Sequence, residues 1–173
     1  MMKAPGGGEA VAIEPAQGLA PGVALRGMPS AVANAVFASA ARRKGEGGAR
    51  SELTERELAV LALVFDAKKL TQAFKLLETP GALVRHVGAR SRRWVYAARG
   101  GKAWTHVADG AQEMYLCWPG HYCGCQSFFY NVVSKGDAPM CKHQLAAAIA
   151  DATGAAESVE VEDQELACML AQI

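Results

Sequence analysis

Residues 121–146 read HYCGCQSFFYNVVSKGDAPMCKHQLA, and the reading of this stretch decides what kind of fold the chain can have. Cys123 and Cys125 stand one residue apart, fifteen residues follow, and Cys141 and His143 again stand one residue apart. Three thiols and an imidazole in two tight pairs are the donor set of a tetrahedral zinc site. A single intervening residue lets both members of a pair converge on one ion. Gly124 is expected to free the backbone for the sharp turn this requires. Four protein ligands leave no coordination position for water, so the expected Zn2+ is structural. Cys117 and His121 are not needed to complete the tetrahedron and are placed outside it. Phe128, Tyr130, Val132 and Val133 are expected to pack over the metal, with stacking of Phe129 or Tyr130 on a base as the alternative.

Working outward, residues 145–152 continue as an Ala-rich helix, which puts Cys141 and His143 at a helix N-terminus. The dipole there favours a thiolate. Gly154 stops that helix, and a last one from about residue 163 carries Leu166, Met169, Leu170 and Ile173 at helical spacing. Glu162 is a poor cap for it, and Cys168 is read as a buried small hydrophobe.

Upstream of the motif the apolar pattern alternates. Segments 83–87, 93–97, 103–107 and 113–117 read as short strands, with Gly100 and Gly101, then Asp109 and Gly110, where hairpin turns belong. The expected sheet is a small antiparallel meander. Before it, Thr54 and Glu57 form a capping box, with Leu53 able to staple onto Leu58. The helix that follows, 55–65, turns Leu58, Leu61 and Phe65 inward. Asp66 caps a third helix carrying Leu70, Phe74 and Leu77, which Thr79, Pro80 and Gly81 end. A first helix is expected at 29–43, with Pro29 near its start and Val32, Val36 and Phe37 on one face. The glycines from 45 to 48 should break it.

Residues 1–28 are rich in Gly, Ala and Pro and read as a mobile tail. Residues 1–50 are thus expected to be mostly disordered apart from the 29–43 helix. Residues 51–173 would form one α+β domain with the finger at about 113–150. A rival reading of the first fifty residues is an organellar transit peptide, since they carry six basic and three acidic side chains.

The 173 residues are 51% hydrophobic, enough for a buried core, and the net charge of +1 by itself points to no partner. Its distribution is uneven. Six basic and no acidic residues fall between 79 and 108, and six acidic and no basic ones from 147 onward. A polyanion-facing surface with an acidic face opposite is the expectation. Arg90, Arg92 and Arg93 are the candidate nucleic-acid contacts; their rival role is to keep a sheet edge soluble. Of five cysteines, three lie in the motif, and no signal-peptide pattern or membrane-length apolar run is present. Reduced, metal-held thiols inside a cell, with no membrane partner, are expected. No serine elbow, phosphate loop or H-E-x-x-H occurs, which points to a binding or scaffolding protein and not an enzyme.

The spacing of Cys123, Cys125, Cys141 and His143 is that of the SWIM zinc finger. More narrowly, HYCGC, the aromatic pair after it, KGD at 135–137, CKHQLA at 141–146, RRWVY and the C-terminal VEDQELACML resemble the small SWIM-domain proteins of the Shu complex, a zinc finger SWIM domain-containing protein family. The likeness runs from about residue 53 to 173. It implies an accessory factor of homologous-recombination DNA repair, nuclear and without catalytic activity of its own. Such a factor pairs with a RecA-like recombinase paralogue and supports assembly of the strand-exchange recombinase on single-stranded DNA. The resemblance carries Cys123, Cys125, Cys141 and His143 over as ligands and Ala146 as the motif's packing position. The connection 99–112 is about ten residues longer than the family's. Other users of the finger, DNA-binding proteins or ubiquitin-ligase adaptors, are the alternative.

Overall fold

The computed structural model describes residues 21–47, 50–100 and 114–171. The strand expected at 103–107, the turn at Asp109 and Gly110, Gly101 and Ile173 lie outside them. In chain order the elements are α1 (Pro21–Gly47), α2 (Glu55–Val64), α3 (Ala67–Glu78), β1 (Leu83–Gly88), β2 (Trp94–Arg99), β3 (Met114–Trp118) and β4 (Tyr122–Cys123). A π-helical turn (Phe128–Ser134), α4 (Lys142–Thr153), β5 (Glu157–Val161) and α5 (Asp163–Leu170) follow. The fold is α+β, as expected.

The helix caps are those the sequence announces. Thr54 Oγ1 accepts from the Glu57 amide at 3.2 Å while the Glu57 carboxylate accepts from the Thr54 amide at 2.9 Å. Asp66 accepts from the Lys69 amide at 2.7 Å and starts α3. Gly154, in the left-handed region at φ 73°, ends α4. The first helix is longer than expected: it begins at Pro21, carries Pro29 inside it and runs on to Gly47. Ala24, Leu25, Arg26 and Met28 are all good helix formers, so the chain is helical before the proline. The helix is also tied down. Arg43 donates to the Glu57 carboxylate through both terminal nitrogens, Nη1 to Oε1 at 2.8 Å, and so links α1 to α2. Val32, expected on the buried face of α1, is exposed; Ala33, Val36, Phe37 and Ala40 are the residues that face inward.

The sheet order is β4-β3-β2-β1-β5. The first four strands form the antiparallel meander, but β5 joins the far side of β1 in parallel, with Val84 opposite Glu157 and Gly88 opposite Val161. The sheet is therefore mixed. Side chains on successive residues take opposite faces. Tyr96, Ala98, Tyr115 and Cys117 lie on the face covered by the helices, in the main core. Val95, Leu116 and Trp118 lie on the other, where Val161 and Leu166 of β5 and α5 close a smaller core.

At the centre of the larger core stands α4, buried along nearly its whole length. Ala146, Ala147, Ala150 and Ala152 give it a surface without bulk, so α1 and α3 can approach its backbone closely. No helix among the described residues is long and apolar enough to cross a membrane.

Candidate metal centre

Two adjacent pieces of backbone supply the four motif side chains. The edge strand β4 ends in Cys123, and Cys125 follows at the next bend; Cys141 and His143 come from the first turn of α4. All four are buried, none more than 3% exposed. One donor atom from each lies within 4.8 Å of the other three. Zinc bonds of about 2.3 Å to sulfur and about 2.0 Å to nitrogen make the donor–donor edges of a tetrahedron about 3.5–3.8 Å. The Cys123 sulfur stands 3.7 Å from His143 Nδ1, which fits such an edge. The residues fit zinc.

Within the cluster the three thiols are pushed in opposite directions. Hydrogen bonding from Cys123, then Cys141, pulls the Cys125 thiol down toward thiolate. The Phe128 amide also donates to its sulfur, at 3.4 Å. Cys123 is pushed up, through its hydrogen bonds with Cys117 and Cys125, and Cys141 is pushed up through those with Cys123 and Cys125. A bound divalent ion would override these shifts, because a coordinating thiol is deprotonated outright.

Cys141 has a second task. It is the N-cap of α4, its sulfur accepting from the Gln144 amide at 3.4 Å while the Gln144 side chain accepts from the Cys141 amide at 3.3 Å. This is a capping box in which a sulfur replaces the usual hydroxyl. His143, in the first turn of the helix, lies beside the Tyr115 ring at 5.2 Å and keeps a buried Nε2 with no hydrogen-bond partner. Ala146, fully buried in the main core, packs one turn further on.

Three expectations need correction. Gly124 is not in the left-handed region, and a Cβ there would meet only the Tyr122 hydroxyl at 3.7 Å and the Leu116 carbonyl at 3.9 Å. The sharp turn is made earlier, by Pro119 and by Gly120 at φ 72°, with the His121 amide donating to the Trp118 carbonyl at 3.2 Å. The aromatic loop is a π-helical turn, which no spacing in the sequence announces. It sends Phe128 inward and Val132 partly so, but leaves Tyr130 and Val133 exposed at 56% and 60%. Phe129 is 47% exposed, and the Lys135 ammonium lies 4.4 Å above the Tyr130 ring. Cys168 is exposed, because α5 turns Leu166 toward the sheet and the position two residues on falls on the far side.

Cys117 is outside the four-donor cluster but directly against it, fully buried and paired across the ladder with Cys123. Ligand spacing alone gives it no role. The signal that could have found it is the Pro119–Gly120 turn, which folds Cys117 back onto Cys123. His121 is exposed.

Arg90, Arg92 and Arg93 lie exposed on the turn between β1 and β2, away from the cluster in sequence and on a different hairpin. In place of the acidic face expected opposite them, β5 and α5 bring acidic groups alongside. Arg92, in the left-handed region at φ 56°, pairs with Glu160 at 2.9 Å. The Ser91 hydroxyl and amide donate to Asp163, and with Arg90 nearby they hold its carboxyl below the ordinary range. The opposed charges of the two segments are thus partly spent on each other.

Known proteins bear on this geometry. The chain is 33% identical over 73 residues to "Zinc finger SWIM domain-containing protein 7" of Danio rerio, covering 42% of this chain and 52% of that protein. It is 28% identical over 120 residues to the Dictyostelium discoideum homolog, covering 69% and 70%, and 29% over 101 residues to the Homo sapiens protein, covering 58% and 64%. The match thus spans about half the length of the zebrafish relative. No family model matches, and no solved structure does. The chain is thus similar to several proteins named for the SWIM zinc finger, and it gathers three thiols and an imidazole into one buried cluster.

Proposed function

We propose that the chain is a zinc-stapled, non-catalytic accessory factor of homologous recombination, acting in the nucleus with a RecA-like paralogue to support recombinase assembly on single-stranded DNA. The observation that carries the metal half is the closed, buried set of Cys123, Cys125, Cys141 and His143. When bound, a single zinc ion would supply the bonds that tie the end of the meander to the start of α4. The four side chains would enclose it, with no place for a substrate or an attacking water. Apparent binding energies of about 10–16 kcal/mol for structural zinc compare with a net stability of about 5–15 kcal/mol for a whole domain. The metal would therefore supply a large share of the stability at this end of the domain. The recombination half rests on the sequence resemblance and on similarity to proteins named for the SWIM zinc finger.

The test has two parts. Metal analysis of purified protein is expected to find one zinc per chain, and cobalt substitution to give a tetrahedral spectrum with thiolate charge-transfer bands. Native protein that purifies without zinc, or whose urea midpoint is the same with and without zinc, would refute the staple. The tagged chain, recovered from its own cells, is expected to bring a RecA-like paralogue with it, and to lose it when Cys123 is changed to Ser. A zinc-loaded chain that retains no such partner, and whose loss leaves recombinase foci after DNA damage unchanged, would remove the recombination reading.

A further inference from the structure

Cys117 is the buried nucleophile that the zinc reading leaves without a role. It lies on β3, fully enclosed, on the same face of the sheet as the cluster and directly opposite Cys123 of β4. The hydrogen bonds fix which kind of pair this is. The Gly124 amide donates to the Leu116 carbonyl at 3.0 Å, so the bonds flank Cys117 and Cys123 and do not join them. In such a non-hydrogen-bonded pair the Cα atoms stand about 4.5 Å apart and the side chains are closest. Disulfides span Cα separations of about 4.4–6.8 Å, so this register can accept one without moving either strand far.

We propose that Cys117 and Cys123 are a disulfide-forming pair that releases the zinc on oxidation. The inference rests on the zinc reading above and adds a redox site to it. Cys123 is the ligand at risk, because β4 is two residues long and lies at the edge of the sheet, where fraying admits a small oxidant. With hydrogen peroxide the chemistry closes. The Cys123 thiolate attacks one peroxide oxygen, an S–O bond forms, the O–O bond breaks, and hydroxide leaves to take up a proton as water. The resulting sulfenic acid no longer serves as a thiolate ligand. Cys117, free of the ion and already alongside, attacks that sulfur as its thiolate. An S–S bond forms, the S–O bond breaks, and the second oxygen leaves as hydroxide that becomes water. Two thiols have been oxidised and one peroxide reduced to two waters. Cys125, Cys141 and His143 remain as an incomplete, weaker site. A dithiol reductant reverses the change.

The experiment uses the zinc-loaded full chain, titrated with hydrogen peroxide while a chromogenic chelator reports free zinc. Unreduced chymotryptic mapping follows, since cleavage after Tyr122 separates Cys117 from Cys123, and fragmentation distinguishes Cys123 from Cys125. The expected result is zinc release together with a link between Cys117 and Cys123, with zinc binding restored by dithiothreitol and added zinc. Cys117→Ser is expected to bind zinc like the native chain but to lose the reversibility, its Cys123 passing on to sulfinic acid. Cys117→Ala serves if the hydroxyl is not tolerated in the core. Disulfides confined to Cys123, Cys125 and Cys141, with Cys117 recovered as free thiol, would overturn the proposal. So would a Cys117 variant that releases and recovers zinc as the native chain does. A native chain holding no zinc would instead overturn the zinc reading itself, which separates the two failures.

Discussion

At the residue scale, the densest position is Cys141, which is at once a metal ligand in the proposed centre and the N-cap of α4. The two roles can be separated by chemistry. Serine caps helices well but is not a zinc ligand, whereas alanine does neither. Cys141→Ser and Cys141→Ala are both expected to abolish zinc binding. In metal-free protein, Ala should be less stable than Ser by about 1 kcal/mol, measured by urea unfolding. Equal metal-free stability would show that a side-chain cap at position 141 does not hold the helix. The four donors are legible in the sequence because one-residue spacing within each pair is a local property of the chain. Cys117 is not, since its importance comes only from the register of two strands. Gly124 misleads for a related reason: a glycine between ligands invites a turn, but Pro119 and Gly120 have already made it.

At the element scale, start and stop signals read well where they are written in side chains. Thr54 with Glu57, Asp66, and Gly154 all do in the fold what their positions announce. Thr54→Ala removes one member of the box at the head of α2 and is expected to destabilise the chain by about 1 kcal/mol. Thr54→Ser should be close to neutral, and an unfolding midpoint for Thr54→Ala equal to the native one would contradict the role. Two elements carry no such signal. β5 is five residues long and mostly exposed, and acidic side chains are a weak strand signal; it forms because β1 offers it a parallel partner. The π-helical turn depends on how the loop is held at both ends, with the Lys135 amide donating to the Tyr130 carbonyl at 3.0 Å. Neither constraint is local.

For the whole molecule, the link between α1 and α2 sets an acid limit on stability. The Arg43 guanidinium, with help from Thr54, holds the Glu57 carboxyl at about 2 against an ordinary 4.5. A depressed carboxyl contributes stability that is present above about 4.5 and lost as the pH falls toward about 2. The urea midpoint of metal-free protein should fall across that window, and less steeply in Glu57→Gln; overlaid profiles would rule the pair out as the cause. Zinc loss should come at milder acidity, since protons compete directly for thiols and imidazole. The sequence by itself determined the α+β class, the helix caps and the four donors, because each follows from a periodicity or a short spacing within one segment. Only the tertiary structure decided that α1 belongs to the core, that β5 closes the sheet beside the basic hairpin, and that Cys117 lies against Cys123. Those depend on which surfaces meet, and strand order and register are set by burial across the whole chain rather than by any stretch of it.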